Sequence, residues 1–150
     1  MFRKIAWLIL FLLCSNPSFA GELIGLEAAK YFDEGVKAQK GGELESAIIS
    51  YHKVLVVDPN NRDWQKYIAN NLGVIYAQEG GYRIAEDYFN KALTIDPLFN
   101  TAKLNLGFIY DKQRSELESI KYWLKVLNID LGAIKPKELI VQEVPTEAQK

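Results

Sequence analysis

The stretch "LGVIYAQEGGYRIAEDYFNKALTIDP", residues 72–97, decides the fold because small residues, an aromatic and a proline interrupt it at fixed intervals. Gly73 is followed by Ala85 after twelve residues, by Phe89 after sixteen and by Pro97 after twenty-four. Apolar residues recur at helical spacing on both sides of "EGGY", where glycine can end a helix in the left-handed conformation. The stretch predicts two antiparallel helices that cross where Gly73 and Ala85 lack bulk.

The same columns occur three times along the chain. The glycine, second small residue, aromatic and aspartate are Gly35, Ala47, Tyr51 and Asp58; then Gly73, Ala85, Phe89 and Asp96; then Gly107, Ser119, Trp123 and Asp130. The glycines lie 38 and then 34 residues apart, so the first junction carries four extra residues, within "NNRDWQK". Such periods indicate stacked helical hairpins, of which at least three usually make a stable array. The insertion is about one helical turn and predicts a lengthened first helix in the second unit.

The chain of 150 residues is therefore predicted to be an all-α solenoid of three antiparallel helix hairpins. The units are placed at 28–61, 66–99 and 100–132. Gly132 is expected to end the last repeat, and Pro136 suits the first turn of a further helix. We therefore predict a short amphipathic helix at 133–144 that covers the last hairpin, because terminal units need a cover with a polar outer side. Residues 145–150 are predicted to be disordered.

Residues 1–20 have the layout of a secretory signal peptide. Arg3 and Lys4 precede an apolar run from Ile5 to Cys14, and small residues near Ala20 predict cleavage there. The run is short for a membrane span, which needs about 20 apolar residues, although an uncleaved anchor is the alternative. Cleavage removes the one cysteine and two of the 18 basic residues but none of the 19 acidic ones, leaving a formal net charge of −3.

Composition and motifs exclude several functions. A mildly acidic chain without a basic cluster disfavours nucleic-acid binding. His52 is the one histidine, and a triad or zinc site needs further partners. The three aspartates fall one per unit, so they are expected to end repeats rather than converge on a metal. No phosphate loop or paired acids stand out, so neither a cofactor nor an enzyme is expected.

The repeated columns resemble the tetratricopeptide repeat, whose unit reads W-x2-L-G-x2-Y, then A-x3-F, then P. The second unit matches through Leu72, Gly73, Tyr76, Ala85, Phe89 and Pro97, with Ala69 in place of the tryptophan. The resemblance covers about residues 28–131. It implies a right-handed stack whose first helices line a concave groove for a protein or peptide segment.

Carried over from the family, the groove-lining columns name the candidate partner-binding residues. They are Phe32 and Val36 in the first unit, Asn70, Asn71 and Val74 in the second, and Leu104, Asn105 and Phe108 in the third. Asn71 and Asn105 share one column, in which some members hydrogen-bond a peptide backbone; alternatively, these amides satisfy their own surroundings. Trp64, in the insertion, is added as a rim anchor, the alternative being that it covers the adjacent hairpin.

These expectations describe an exported interaction module, in a bacterial periplasm, that docks a peptide segment of an envelope or secretion-complex protein. The groove columns lack the lysines and arginines of members that clamp a terminal carboxylate, so a neutral, partly apolar groove is expected. The alternative is a self-associating module tethered to the inner membrane by an uncleaved N-terminal segment. Membrane contact is expected only in that case.

Overall fold

The computed structural model describes residues 17–112, which form five α-helices and no strand. They are α1 (Pro17–Lys40), α2 (Leu44–Val57), α3 (Arg62–Gln78), α4 (Tyr82–Ile95) and α5 (Asn100–Lys112). Helix α1 packs along α2 and α3 along α4, while α5 contacts α3 and α4. The all-α solenoid of helical hairpins is thus confirmed.

Both hairpin turns end the first helix with a glycine in the left-handed conformation. Gly42 and Gly80 each have a φ of 81°. In the next position, the Glu43 amide donates to the Ala38 carbonyl at 2.9 Å, and the Gly81 amide donates to the Tyr76 carbonyl at 2.8 Å. These bonds satisfy carbonyls that the helix end would otherwise leave unpaired. The glycine break predicted at "EGGY" is confirmed and recurs one unit earlier.

The small residues lie where the paired helices cross. A Cβ atom placed on Gly73 would lie 2.6 Å from Cε1 of Phe89, and one on Gly35 would lie 2.6 Å from Cε1 of Tyr51. Both rings are fully buried, so neither can move aside into solvent. The predicted pairing of a missing side chain with an aromatic ring is therefore present in both complete hairpins.

The four extra residues lengthen α3 at its start. Helix α3 begins eleven residues before Gly73, whereas α5 begins seven residues before Gly107. Asn61 caps the added turn, because its side-chain oxygen accepts from the amides of Asp63 at 3.1 Å and Trp64 at 3.3 Å. The predicted extension of one turn is confirmed.

Stacking between units depends on three columns in each first helix. In α3 these are Ile68, Leu72 and Ile75, and in α5 they are Ala102, Leu106 and Ile109, all of which are buried. Ile68, Leu72 and Ile75 join the core of the first unit. The matching columns of α1 hold Lys30, Glu34 and Lys37, all exposed. The first unit therefore presents a charged end face where the others present an apolar one.

Several predicted segments lie outside the described residues. These are most of the signal peptide at 1–20, the second helix of the third unit with Ser119 and Trp123, the covering helix at 133–144 and the tail at 145–150. Helix α1 begins at Pro17, so the predicted cleavage site after Ala20 falls in its first turn. None of the five helices combines the length and apolarity needed to cross a membrane.

Candidate functional site

The middle of the predicted groove is closed. Of the nine candidate partner-binding residues, five have no exposed surface: Phe32, Asn70, Asn71, Val74 and Asn105. Val36 and Trp64 are also buried, and Leu104 and Phe108 are half-buried. The assignment of the five as direct partner contacts therefore needs correction, because a side chain without exposed surface cannot touch a partner unless the fold opens.

The asparagines bond to the protein itself. Nδ2 of Asn105 donates to Oδ1 of Asn70 at 2.9 Å, and Nδ2 of Asn70 donates to Oδ1 of Asn71 at 3.2 Å. The first of these bonds joins the second and third units. The alternative interpretation, in which the amides satisfy their own surroundings, describes these contacts.

The same series of bonds continues into the first unit. Nδ2 of Asn71 donates to the Tyr51 hydroxyl at 3.1 Å, and that hydroxyl donates to Oε1 of Gln39 at 2.7 Å. Gln39 in turn donates from Nε2 to the Asn71 carbonyl at 3.4 Å. Burial raises the pKa of Tyr51 far above its usual range, against the opposing effect of the bond from Asn71, so the hydroxyl keeps its proton as a donor.

We call these five side chains the amide relay: Gln39, Tyr51, Asn70, Asn71 and Asn105. All five are buried, and every link points in the same donor direction, an arrangement in which each bond polarises the next. The repeat columns did not reveal Gln39, because its counterparts are Ala77 and Asp111. The sequence did contain one signal. The aromatic column holds Tyr51 in the first unit but Phe89 in the second, and the unit after Tyr51 carries Asn70 and Asn71.

Trp64 lies between hairpins rather than at a free rim. Its ring centroid is 5.1 Å from that of Phe32, and its exposed fraction is 7%. This position matches the alternative, that Trp64 covers the adjacent hairpin. A rim-anchor role stays a prediction, because Trp64 also borders an open groove. The indole lies there because the added turn begins α3 at Arg62, before the start of the 34-residue unit at residue 66.

An open groove lies instead along α1, beside the first turn of α3. Its volume is about 1450 Å³. Its lining on α1 runs from Glu22 to Lys37, and the rest of its lining is Asn61, which caps α3, with Asp63 and Trp64 of α3. We call this the α1 groove. Leu23 and Leu26 in its wall are 51% and 71% exposed.

The charges around the α1 groove are predominantly acidic. Its lining contains five carboxylates, Glu22, Glu27, Asp33, Glu34 and Asp63, and two lysines, Lys30 and Lys37. All seven are exposed. The groove is thus an apolar strip with an acidic border. The columns carried over from the family did not reveal it, because five of its thirteen lining residues lie before residue 28.

Comparison with known proteins supports the family suggested by these columns. Residues 67–97 match the family model of the tetratricopeptide repeat. The second hairpin is therefore a tetratricopeptide repeat. The match falls on the second hairpin, whose Gly73 and Phe89 form the crossing described above.

Relatives of this repeat protein carry the name Photosystem I assembly protein Ycf3. The one from Rippkaea orientalis is 35% identical over 89 residues, which are 58% of this chain and 50% of the relative. The one from Acaryochloris marina is 30% identical over 92 residues, 61% of this chain and 55% of the relative. The chain thus spans about half the length of these relatives. The repeat in the second hairpin supports a protein-interaction module.

A second polar cluster joins the second hairpin to the turn that follows it. Nζ of Lys66 lies 2.8 Å from Asp63 and 3.0 Å from Asp96, and it faces the rings of Tyr67 at 5.2 Å and Phe99 at 5.7 Å. Burial alone would lower the pKa of Lys66, but its bonds to the two aspartates outweigh that effect and raise it. The cluster stabilises the fold rather than forming a binding site, because Lys66 is already paired with Asp63 and Asp96.

The aspartates at the repeat ends bond locally. Asp96 accepts from the Leu98 amide at 2.9 Å, and Asp58 accepts from the Asn61 side chain at 2.9 Å. His52 is exposed on α2. Within residues 17–112, no group of three histidine, cysteine or acidic side chains could hold a metal ion.

Proposed function

We propose that this tetratricopeptide repeat protein binds a segment of a partner protein in the α1 groove, and that its contribution is binding rather than catalysis. The exposure of Leu23 and Leu26 in the wall of an open groove carries the proposal. Exposed apolar surface bordered by charge is typical of protein-interaction sites. The binding surface is thereby moved from the closed middle of the predicted groove to its first unit.

The relatives suggest the biological setting. Because they are named as assembly proteins, we propose that the partner is a subunit of a multi-protein complex and that the module holds one of its segments during assembly. The N-terminal signal layout supports export to a bacterial periplasm, where the complex would belong to the envelope or to a secretion apparatus. If the leader is retained, the same module is tethered to the inner membrane.

Site-specific photocrosslinking in cells of the source organism tests this function. A photoreactive amino acid replaces Asp33, which is exposed in the α1 groove, and in a matched protein replaces Val56, which is 80% exposed on α2. We expect crosslinks from position 33 to one contiguous segment of another protein, and none to that segment from position 56. Equal labelling from both positions would refute a groove-bound segment.

The same crosslinks examine the alternative, self-association. In that case the peptides joined to position 33 would come from this chain itself, and the cross-linked species would have twice the mass of the chain. The observation that favours hetero-partner binding is the charge of the first end face, where Lys30, Glu34 and Lys37 replace the aliphatic residues that stack the other units.

A further inference from the structure

The α1 groove is shaped by two helix extensions that the 34-residue unit does not contain. Helix α1 begins eleven residues before the predicted first unit, and α3 begins one turn earlier than α5 relative to its glycine. Leu23 and Leu26 lie on the first extension, and Asp63 lies on the second. The wall and the acidic border of the groove therefore come largely from segments that stacking of the units does not require.

The spacing of the leucines suits a helical ligand. Leu23 and Leu26 are three residues apart, so they lie on one face of α1 and form a short apolar ridge. The groove follows α1 from residue 22 to residue 37. At about 1.5 Å per residue this is a length of about 22 Å, or about four turns of a bound helix.

The border charges then select the ligand's chemistry. Five carboxylates against two lysines leave an acidic border beside the leucines. Asp63 shares a salt bridge with Lys66, but Glu22 and Glu27 stand on the same extension as the leucines and are exposed. Complementary charge on a partner selects against wrong partners and speeds encounter.

We propose that the α1 groove binds a basic amphipathic helix, with leucine or isoleucine on the face toward Leu23 and Leu26 and lysine or arginine at its edges. This inference rests on the proposed function and specifies the chemistry of its ligand. The apolar ridge supplies area to bury, and the carboxylates hold the cationic edges. An acidic segment of the same shape would meet like charges along the border and bind more weakly.

The test uses the full chain and two synthetic fluorescein-labelled peptides of about four helical turns. Both carry leucines at i, i+3 and i+4 spacing; one has lysines at its edges and the other glutamates. Fluorescence anisotropy measures both affinities at low and high salt. We expect the lysine peptide to bind at least about tenfold more tightly, and the difference to shrink at about 1 M salt, where the Debye length is about 3 Å.

Three variants locate the binding. Leu26→Glu is expected to weaken binding of the lysine peptide by about tenfold, while Val56→Glu, at an equally exposed position outside the groove, leaves it unchanged. The pair Glu22→Lys with Glu27→Lys is expected to reverse the peptide preference. Each substitution is on an exposed face, and circular dichroism confirms that the variants are folded.

Other results would overturn the inference. Equal binding of both peptides, or an equal loss with Val56→Glu, would show that the ligand's charge or this groove is not what selects it. In the form that keeps residues 1–20, tighter binding to a variant with Arg3→Glu and Lys4→Glu would show that the chain's own N-terminal segment occupies the groove. A halving of mass by light scattering in Leu26→Glu would show that a second copy does. Photocrosslinking to a partner segment without basic residues would overturn this inference while supporting the proposed function.

Discussion

At the scale of single residues, Gly35 and Gly73 set how closely the two helices of a hairpin approach. Each faces a buried aromatic ring at a distance that leaves no room for a Cβ atom. Elsewhere on α1, Gly25 has nothing within 4 Å of its ideal Cβ position. The chain therefore offers helical glycines of two kinds, Gly35 and Gly73, which exclude a side chain, and Gly25, which tolerates one.

Gly73→Val is expected to lower the free energy of unfolding by about 1–3 kcal/mol, because overpacking against Phe89 forces the helices apart. Gly25→Val is the matched control and is expected to be neutral or slightly stabilising, since valine has a higher helix propensity than glycine. Thermal and denaturant melts give both values. Equal melting of the two variants would contradict the crossing geometry.

Tyr51 links the asparagines of the amide relay to Gln39. Its hydroxyl accepts from Asn71 and donates to Gln39, whereas Phe89 occupies the same column of the next unit without a hydroxyl. Tyr51→Phe keeps the ring and removes both bonds. The variant therefore isolates the polar contribution from the packing contribution.

We expect Tyr51→Phe to cost about 1–3 kcal/mol, since buried amide groups of Asn71 and Gln39 lose their partner. Tyr31→Phe is the control, because the Tyr31 hydroxyl makes one long bond of 3.5 Å to Glu27 near the surface. Its effect is expected to stay within about 0.5 kcal/mol. Denaturant unfolding followed by circular dichroism compares them, and a Tyr51→Phe variant as stable as wild type would refute a stabilising relay.

At the scale of elements, the added turn of α3 connects three parts of the fold. Trp64 packs on Phe32 of the first unit, and Arg62 donates to the Ile95 carbonyl at the end of α4 at 2.8 Å. Lys66 pairs with Asp96, the residue after α4 ends. Cations at a helix C-terminus also complement its dipole. The start of α3 thus joins the second hairpin to the first and also holds the end of α4 within the second hairpin.

The bond to Lys66, followed by that to the Leu98 amide, holds the pKa of Asp96 below its ordinary value of 3.8. The unfolded chain therefore takes up this proton at a higher pH than the folded chain does. The stabilisation is fully present above pH 3.8 and is lost as the pH falls toward the folded pKa.

Asp96→Asn is expected to lower stability slightly at neutral pH, by less than about 1 kcal/mol for a partly exposed pair. The difference from wild type should shrink below about pH 4. Urea unfolding across this pH range measures it, with Asp87→Asn on the exposed face of α4 as control. A difference that grows on acidification would contradict the pairing.

The sequence predicted elements better than it predicted exposure. Periodicity, the recurring glycines and the insertion length lead directly to the hairpins and to the added turn, because these follow from local geometry. The fate of Asn71 and Trp64 could not be read in the same way, because it depends on which residues of neighbouring units face them. The start of α1 at Pro17 was missed because the repeat columns begin at residue 28.

At the scale of the whole molecule, the first unit differs from the second in the residues that occupy its three stacking columns. Lys30, Glu34 and Lys37 carry charge where the next unit has Ile68, Leu72 and Ile75. Terminal units of repeat arrays need such a polar outer face to stay soluble. Within residues 17–112, these three charged side chains give the first unit such a polar outer face.

Replacing these charges together, as Lys30→Ile, Glu34→Leu and Lys37→Ile, is expected to convert the end face into a stacking face and to produce dimers. Light scattering coupled to gel filtration measures the mass. The control places three aliphatic residues at Arg83, Asp87 and Lys91, which are exposed along α4. Dimers formed equally by the control would indicate non-specific hydrophobic association instead.

The N-terminal layout gives the last prediction. Cleavage after Ala20 would leave a chain beginning at Gly21, with α1 covering residues 21–40. Intact-mass measurement of the protein purified from the periplasm of its source cells is expected to show this terminus. Recovery of the full chain from the membrane fraction would instead establish the anchored form.

The amide relay has a consequence for how this repeat protein can evolve. Arrays of repeats commonly lengthen, shorten or exchange their units, because each unit contacts its neighbours through similar surfaces. Here Gln39 and Tyr51 come from one unit, Asn70 and Asn71 from the next, and Asn105 from the third. Duplicating or moving any one of these units would leave buried amides without their hydrogen-bond partners. The order of the three units is therefore constrained, and we expect related chains to keep these five side chains as a set.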